Sequence, residues 1–129
     1  MTHWAAAVIG TPWVPGSTDC WSLARGIWRT RFGWDVPPIM VDPSDARAAR
    51  QALSVPPERL GWDAVVCPTE GDAVLMARGA RPCHVGIWIE PEPDVGILHS
   101  VERSGVIYTP PARLAGIGYR VIGYYRRPA

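Results

Sequence analysis

The sequence predicts an α+β domain in which N-terminal helices pack on an antiparallel β-sheet. Two patterns carry this reading. Up to about residue 53 apolar residues recur at helical spacing. Beyond Pro56-Pro57 they fall into short apolar or alternating runs separated by turn residues. Helices followed by strands is the order of an α+β fold. The 129 residues read as one domain spanning 1–129, a size that buries roughly two-thirds of its unfolded surface.

Thr2 stands where it would cap a short helix, with Trp4, Ala5 and Val8 on one face and Gly10 as its end. Pro12, Pro15 and Gly16 interrupt the chain, and Thr18 or Asp19 suits the N-cap of a second helix. That helix opens at Cys20, carries Leu23, Ile27 and Trp28 at helical spacing, and runs to about Phe32 with Gly33 as its stop. Residues 34–43 read as an extended, Pro-rich loop. Pro43-Ser44-Asp45 opens a third helix to about Leu53, with Arg47 and Arg50 on a solvated face. Strands follow at 62–66, 73–77, 85–90, 96–101, 105–108 and 119–125, in an antiparallel meander. Pro91-Glu92-Pro93-Asp94 forms the tip of a hairpin that sets the strand of His84 beside the strand of His99.

Composition excludes several classes. A net charge of +1 gives no reason to expect a nucleic-acid partner. No segment approaches the ~20 apolar residues that span a bilayer, and the N-terminus lacks the basic start of a secretory signal. Three cysteines at irregular spacing, Cys20, Cys67 and Cys83, do not make a disulfide framework. The seven tryptophans suit a core, a groove or an assembly interface equally well.

Chemistry concentrates at three residues. A thiol at Cys20 would sit in the first turn of a helix, among backbone N–H groups and at the positive end of the dipole. Such sites favour the thiolate and lower a thiol pKa from ~8.5 to roughly 3.5–7.5; the plainer reading is a small core residue. His84 begins the apolar run His84-Val85-Gly86-Ile87-Trp88, and His99 ends Gly96-Ile97-Leu98-His99. Across the hairpin the two imidazoles come within hydrogen-bonding reach, one as base and the other fixing its tautomer. His3 reads as structural, Asp72 as a turn former and Cys67 as core. Cys83 lacks a helix N-terminus and points away from His84. No Cys-x-x-Cys or His-x-x-x-His spacing supports zinc, so neither metal nor cofactor is expected. The run of Tyr119, Tyr124, Tyr125, Arg126 and Arg127 reads as a last strand with a basic end.

Five segments in order resemble one family. They are Ile9-Gly10-Thr11-Pro12-Trp13, Asp19-Cys20-Trp21-Ser22-Leu23, Gly71-Asp72-Ala73-Val74, His84-Val85-Gly86-Ile87-Trp88 and Leu98-His99-Ser100. Together they are similar to the NlpC-type cysteine peptidases, papain-fold enzymes of bacteria and phages that cut peptidoglycan stem peptides. The resemblance implies Cys20 as nucleophile, His84 as general base and His99 as its orienter. It also implies an amide substrate between D-glutamate, through its side-chain carboxyl, and diaminopimelate. The Asp19-Cys20-Trp21 variant looks most like the subset encoded with phage tails. That subset includes proteins resembling the C-terminal half of the lambda tail K protein and those of gene transfer agents. It implies a place at a virion tail tip beside other tail-tip proteins, action on the host cell wall in the periplasm, and no membrane insertion.

Two departures bear on the cleft. Trp13 stands where the family has a Tyr near the thiol, and would offer the oxyanion only an indole N–H. Trp21-Ser22 replaces Ser-Gly and would put bulk beside the cleft and Asp19. A structural tail-tip part of the same fold with a plugged or silent site therefore competes with the hydrolase, as does a thiol amidase with another substrate.

Overall fold

The computed structural model describes residues 3–38, 61–79 and 81–128, with backbone alone at 81–83. The expected third helix, the Pro56-Pro57 break, the Thr2 cap and the side chain of Cys83 lie outside these residues. Asp19 sets the start of helix α1 (Cys20–Phe32). Its backbone is extended, and its carboxylate accepts from the Ser22 N–H at 3.0 Å. That satisfies one of the amides a helix start leaves without an internal partner. The second carboxylate oxygen accepts from Gly16 N–H, so the same side chain holds the turn before the helix. Gly33 ends α1 at φ 71°, a left-handed conformation glycine adopts without a Cβ clash. The first helical segment is a single 3-10 turn, Trp4–Ala7. His3 caps it: Nδ1 accepts from Ala5 N–H at 3.1 Å, which leaves Nε2 to donate to Glu70.

Six strands form one antiparallel sheet: β1 (Asp63–Val65), β2 (Ala73–Arg78), β3 (Arg81–Ile89), β4 (Gly96–Val101), β5 (Gly105–Thr109) and β6 (Arg120–Arg126). Their order is β1-β6-β2-β3-β4-β5. The expected meander holds from β2 to β5, but the last strand does not extend it. β6 returns across the 3-10 turns Pro111–Arg113 and Ala115–Ile117 to lie between β1 and β2. A three-residue β1 is too short to pair the whole edge of β2, whereas β6 covers it from Ala73 to Ala77. The Arg126 fork fastens this return, donating to both oxygens of buried Asp72 at 3.1 and 2.8 Å. Asp72 also accepts from Thr69 N–H, as a turn former does.

Each face of the sheet buries its own cluster. On one, Trp21, Ala24, Ile27 and Trp28 of α1 pack against Val85, Ile87, Ile89, Leu98 and Val106. The second gathers Val74, Met76, Trp88, Ile97, Leu114 and Tyr119. Side chains alternate between the two as the two-residue period of a strand requires. Cys67 does not join either cluster. Expected in the core, it is exposed beside Val66, which is 91 % exposed. β1 stops at Val65 and the chain turns outward, leaving the Cys67 carbonyl to accept from Arg126.

The direction of α1 over the sheet follows from its polar anchors. Near its C-terminal half Trp28 Nε1 donates to the Gly71 carbonyl at 2.8 Å, and Gly71 N–H donates to the Trp88 carbonyl at 2.9 Å. Before its N-terminus the Thr18 carbonyl accepts from Ser100 Oγ of β4. The helix packs on β3 and β4 between these points. Its C-terminal half therefore lies at the Trp88 end of β3, and its first residue at the end where β4 carries His99 and Ser100.

Gly86 makes room for this end of the sheet. A Cβ there would come within 2.7 Å of Ile97 Cγ2 and 3.0 Å of His99 Cβ. Gly86→Ala should therefore overpack β3 against β4 and cost about 1–3 kcal/mol, measured as a lower urea midpoint at unchanged m-value.

Candidate active site

His84 and His99 meet on one face of the sheet. β3 and β4 pair antiparallel at Ile87↔Leu98, Trp88↔Ile97 and Ile89↔Gly96. Continuing that register sets His99 across from Gly86, so His84, two residues back on β3, is its diagonal neighbour. With no side chain at 86 between them, His84 Nε2 lies 2.7 Å from His99 Nδ1. His99 Nε2 lies 2.9 Å from Thr109 Oγ1 of β5. The result is a three-residue polar chain through three adjacent strands. It is buried: His84 is 5 % exposed and His99 0 %.

Two proton arrangements satisfy this chain. In one, Thr109 donates to His99, His99 donates to His84 Nε2, and His84 carries its own proton on Nδ1. In the other, His84 Nε2–H donates to His99 Nδ1 and His99 Nε2–H donates to Thr109. Only the second leaves a bare Nδ1 on His84, the form able to take a proton. A positive charge gained by His84 would then be shared with His99 through the same hydrogen bond.

Burial holds both rings in the neutral form. His84 is pushed well below the ordinary histidine value, first by burial and then by the neighbouring His99 and the Arg78 guanidinium. Burial alone brings His99 down to about 4.

Cys20 is the first residue of α1, half-buried against the helix-side cluster. The Thr18–Ser100 hydrogen bond brings it to the end of β4 that carries His99, with Ser100 on the helix side of the strand and the two imidazoles on the side of Ile97 and Tyr119. The other sequence candidates divide. Asp19 is buried, its carboxylate spent on Gly16 and Ser22, so it shapes the turn before Cys20 rather than lining a cleft. Trp13 is half-buried in the preceding loop, whose Pro12 carbonyl accepts from Thr18 Oγ1. Trp21 is not the cleft-side bulk expected of it. It is 5 % exposed, donates to the Pro37 carbonyl at 3.0 Å, and packs edge-on against Trp28. A residue at the second position of an amphipathic helix turns inward when its neighbours Ala24 and Trp28 lie on the buried face.

Two residues of the site had no local signal. Thr109 follows from strand register: opposite Ile97, it shares a face with His99 and is its diagonal neighbour. Tyr119 is reached only through the long connection from β5, and stacks on His84 with ring centres 4.5 Å apart. Among the described residues no group of three or more metal-ligating side chains comes together.

Fold and site together define an α+β protein whose six-stranded antiparallel sheet, with a helix packed on it, carries a buried histidine pair. No protein-family model matches the chain, and no curated protein matches it.

The neutral rings make stability depend on pH. Below about 6.5 the unfolded chain binds protons on both imidazoles, whereas the folded protein does not. Stability should therefore be full above pH 6.5 and decline as pH falls toward 4, with a limiting slope near 1.4 kcal/mol per pH unit for each ring. Urea unfolding at stepped pH should show this decline, and the His84→Gln/His99→Gln double variant should lose most of it.

Proposed function

We propose that this protein is a cysteine hydrolase of the NlpC type, with a papain-like arrangement of nucleophile helix and histidine strands, cleaving an amide of a peptidoglycan stem peptide. One observation carries the reading. The His84–His99–Thr109 chain lies at the end of the sheet where α1 begins with Cys20. The D-glutamyl–diaminopimelate bond, and a setting at a phage tail tip facing the host wall, rest on the sequence resemblance.

In this reading Cys20 Sγ attacks the amide carbonyl as its proton passes to Nδ1 of His84. The carbonyl oxygen becomes an oxyanion, and the Cys20 backbone N–H at the helix start and the Trp13 indole N–H are the donors proposed for it. His99 accepts from His84 Nε2–H throughout and stabilises the imidazolium. Collapse breaks the C–N bond, and His84 returns its proton to the leaving amine. Water then attacks the thioester, gives a proton to His84, and leaves a carboxylic acid and the restored thiol. Because the buried rings rest neutral, His84 starts as an imidazole able to take a proton.

The burial of His84 favours a second reading, a tail-tip structural part whose site is closed to substrate. Digestion of purified muropeptides separates the two. The hydrolase releases a new amine terminus, and Cys20→Ala lowers the rate by about 10⁴-fold or more. Its kcat/KM should keep an acid limb below pH 6.5, since His84 stays unprotonated at pH values where an ordinary histidine is charged. Iodoacetamide should label Cys20 at least about tenfold faster than the exposed Cys67 near pH 7. Equal, slow labelling together with no cleavage would sink the hydrolase and leave the structural reading.

A further inference from the structure

His84 is held on a second side by a stack that the catalytic reading does not use. Tyr119 lies nearly parallel to the His84 ring, with planes 18° apart and centres separated by 4.5 Å. It meets His99 edge-on at 6.0 Å. Over the same Tyr119 ring the Arg78 guanidinium carbon stands 4.4 Å from the centre. Arg78 is itself fixed by donating through Nη2 to the Ile117 carbonyl at 3.2 Å. Tyr119, from the turn before β6, thus contacts both Arg78 of β2 and His84 of β3.

The backbone next to Tyr119 suits this arrangement. Gly118 takes φ 91°, a left-handed value that ordinary side chains rarely adopt, and a Cβ there would sit 3.4 Å from Arg78 Nε. Glycine thus provides the left-handed turn, and the Cβ distance to Arg78 is an ordinary contact. Tyr119 is 9 % exposed, whereas Arg78 lies at the surface. A cation over a phenol ring is a favourable contact, and the near-parallel imidazole stacks on the same ring.

A single hydrogen bond at Nε2 fixes one point of the His84 ring but lets its plane swing about that point. A flat partner against the ring face removes the swing, which sets the direction of Nδ1. We propose that Tyr119, clamped by Arg78, is a positioning residue that holds the plane of His84 so that Nδ1 is aimed for proton transfer. This rests on the reading of His84 as the base. Among the described residues the titratable or charged groups around His84 are His99 from β4, Arg78 from β2 and Tyr119 ahead of β6. Helix α1, packed on β3, brings Cys20 to the same end of the sheet. The Arg78 charge adds to the burial that keeps His84 neutral, so the clamp also opposes protonation of the base before substrate arrives.

Nuclear magnetic resonance of the full chain labelled with ¹⁵N-histidine reads the ring directly, independently of turnover. In the wild type His84 should carry its proton on Nε2 and stay neutral well below pH 6.5. Arg78→Met, which can still cover Tyr119 without the charge, should raise the His84 midpoint by up to about one pH unit. Tyr119→Leu should mix the two tautomers and lower kcat about tenfold or more with KM changed less than twofold. Tyr119→Phe, which keeps the flat ring, should restore most of that rate and the single tautomer. An unchanged His84 tautomer and midpoint in both Tyr119→Leu and Arg78→Met would overturn the clamp. If Tyr119→Leu does not fold, the midpoint in Arg78→Met decides alone. A wild type that cleaves no amide while its ring signals respond as described would instead overturn the role of His84 as base and leave the stack standing.

Discussion

Helix α1 is tied to the sheet by a polar contact at each end: the Thr18 carbonyl to Ser100 Oγ, and Trp28 Nε1 to the Gly71 carbonyl. Apolar packing alone would let a helix slide or rotate on a sheet, because burial is non-directional. Two directional bonds, from residues ten positions apart, remove that freedom. They set Cys20 at the end of β4 where His99 sits. Both Thr18 and Ser100 lie next to or near proposed functional residues, so the same contact serves fold and site.

The histidine pair shows the opposite economy. Burying two imidazoles, one with a cationic guanidinium nearby, costs stability as pH falls, since the unfolded chain binds protons the native state refuses. A core of apolar residues at 84 and 99 would avoid that cost. What the arrangement provides is orientation: Thr109 holds His99, His99 holds His84, and Tyr119 lies flat against it. Fully satisfied buried networks rigidify their members, and a proton acceptor is useful only when its lone pair is aimed. Local choices that lower stability in this way are characteristic of sites rather than of scaffolds.

Much of this was readable along the chain. Asp19, Cys20 and Gly33 bounded α1 correctly because caps and stops are local chemistry, decided within a few residues. The strands of His84 and His99 were legible as a hairpin for the same reason: the Pro-rich tip and the alternating runs lie next to one another. Misreadings arose where neighbours in space were distant in sequence. Trp21 was assigned to a cleft, but the Pro37 carbonyl and Trp28 draw it inward. Cys67 had apolar neighbours and looked buried, yet the sheet ends before it. The position of β6 depended on Asp72 meeting Arg126, fifty-four residues away.

The sequence by itself determined the α+β class, the two ends of α1 and the hairpin of β3 and β4, since hydrophobic period, caps and turn residues act over a few positions. It also determined that a cysteine opens a helix and that two histidines share a hairpin. Only the tertiary structure decided which strand lies beside which, what flanks His84, and that Thr109, Tyr119 and Arg78 belong to its surroundings. Those contacts join residues ten to more than forty positions apart, and no local pattern records them because they form only once the sheet has closed around the pair.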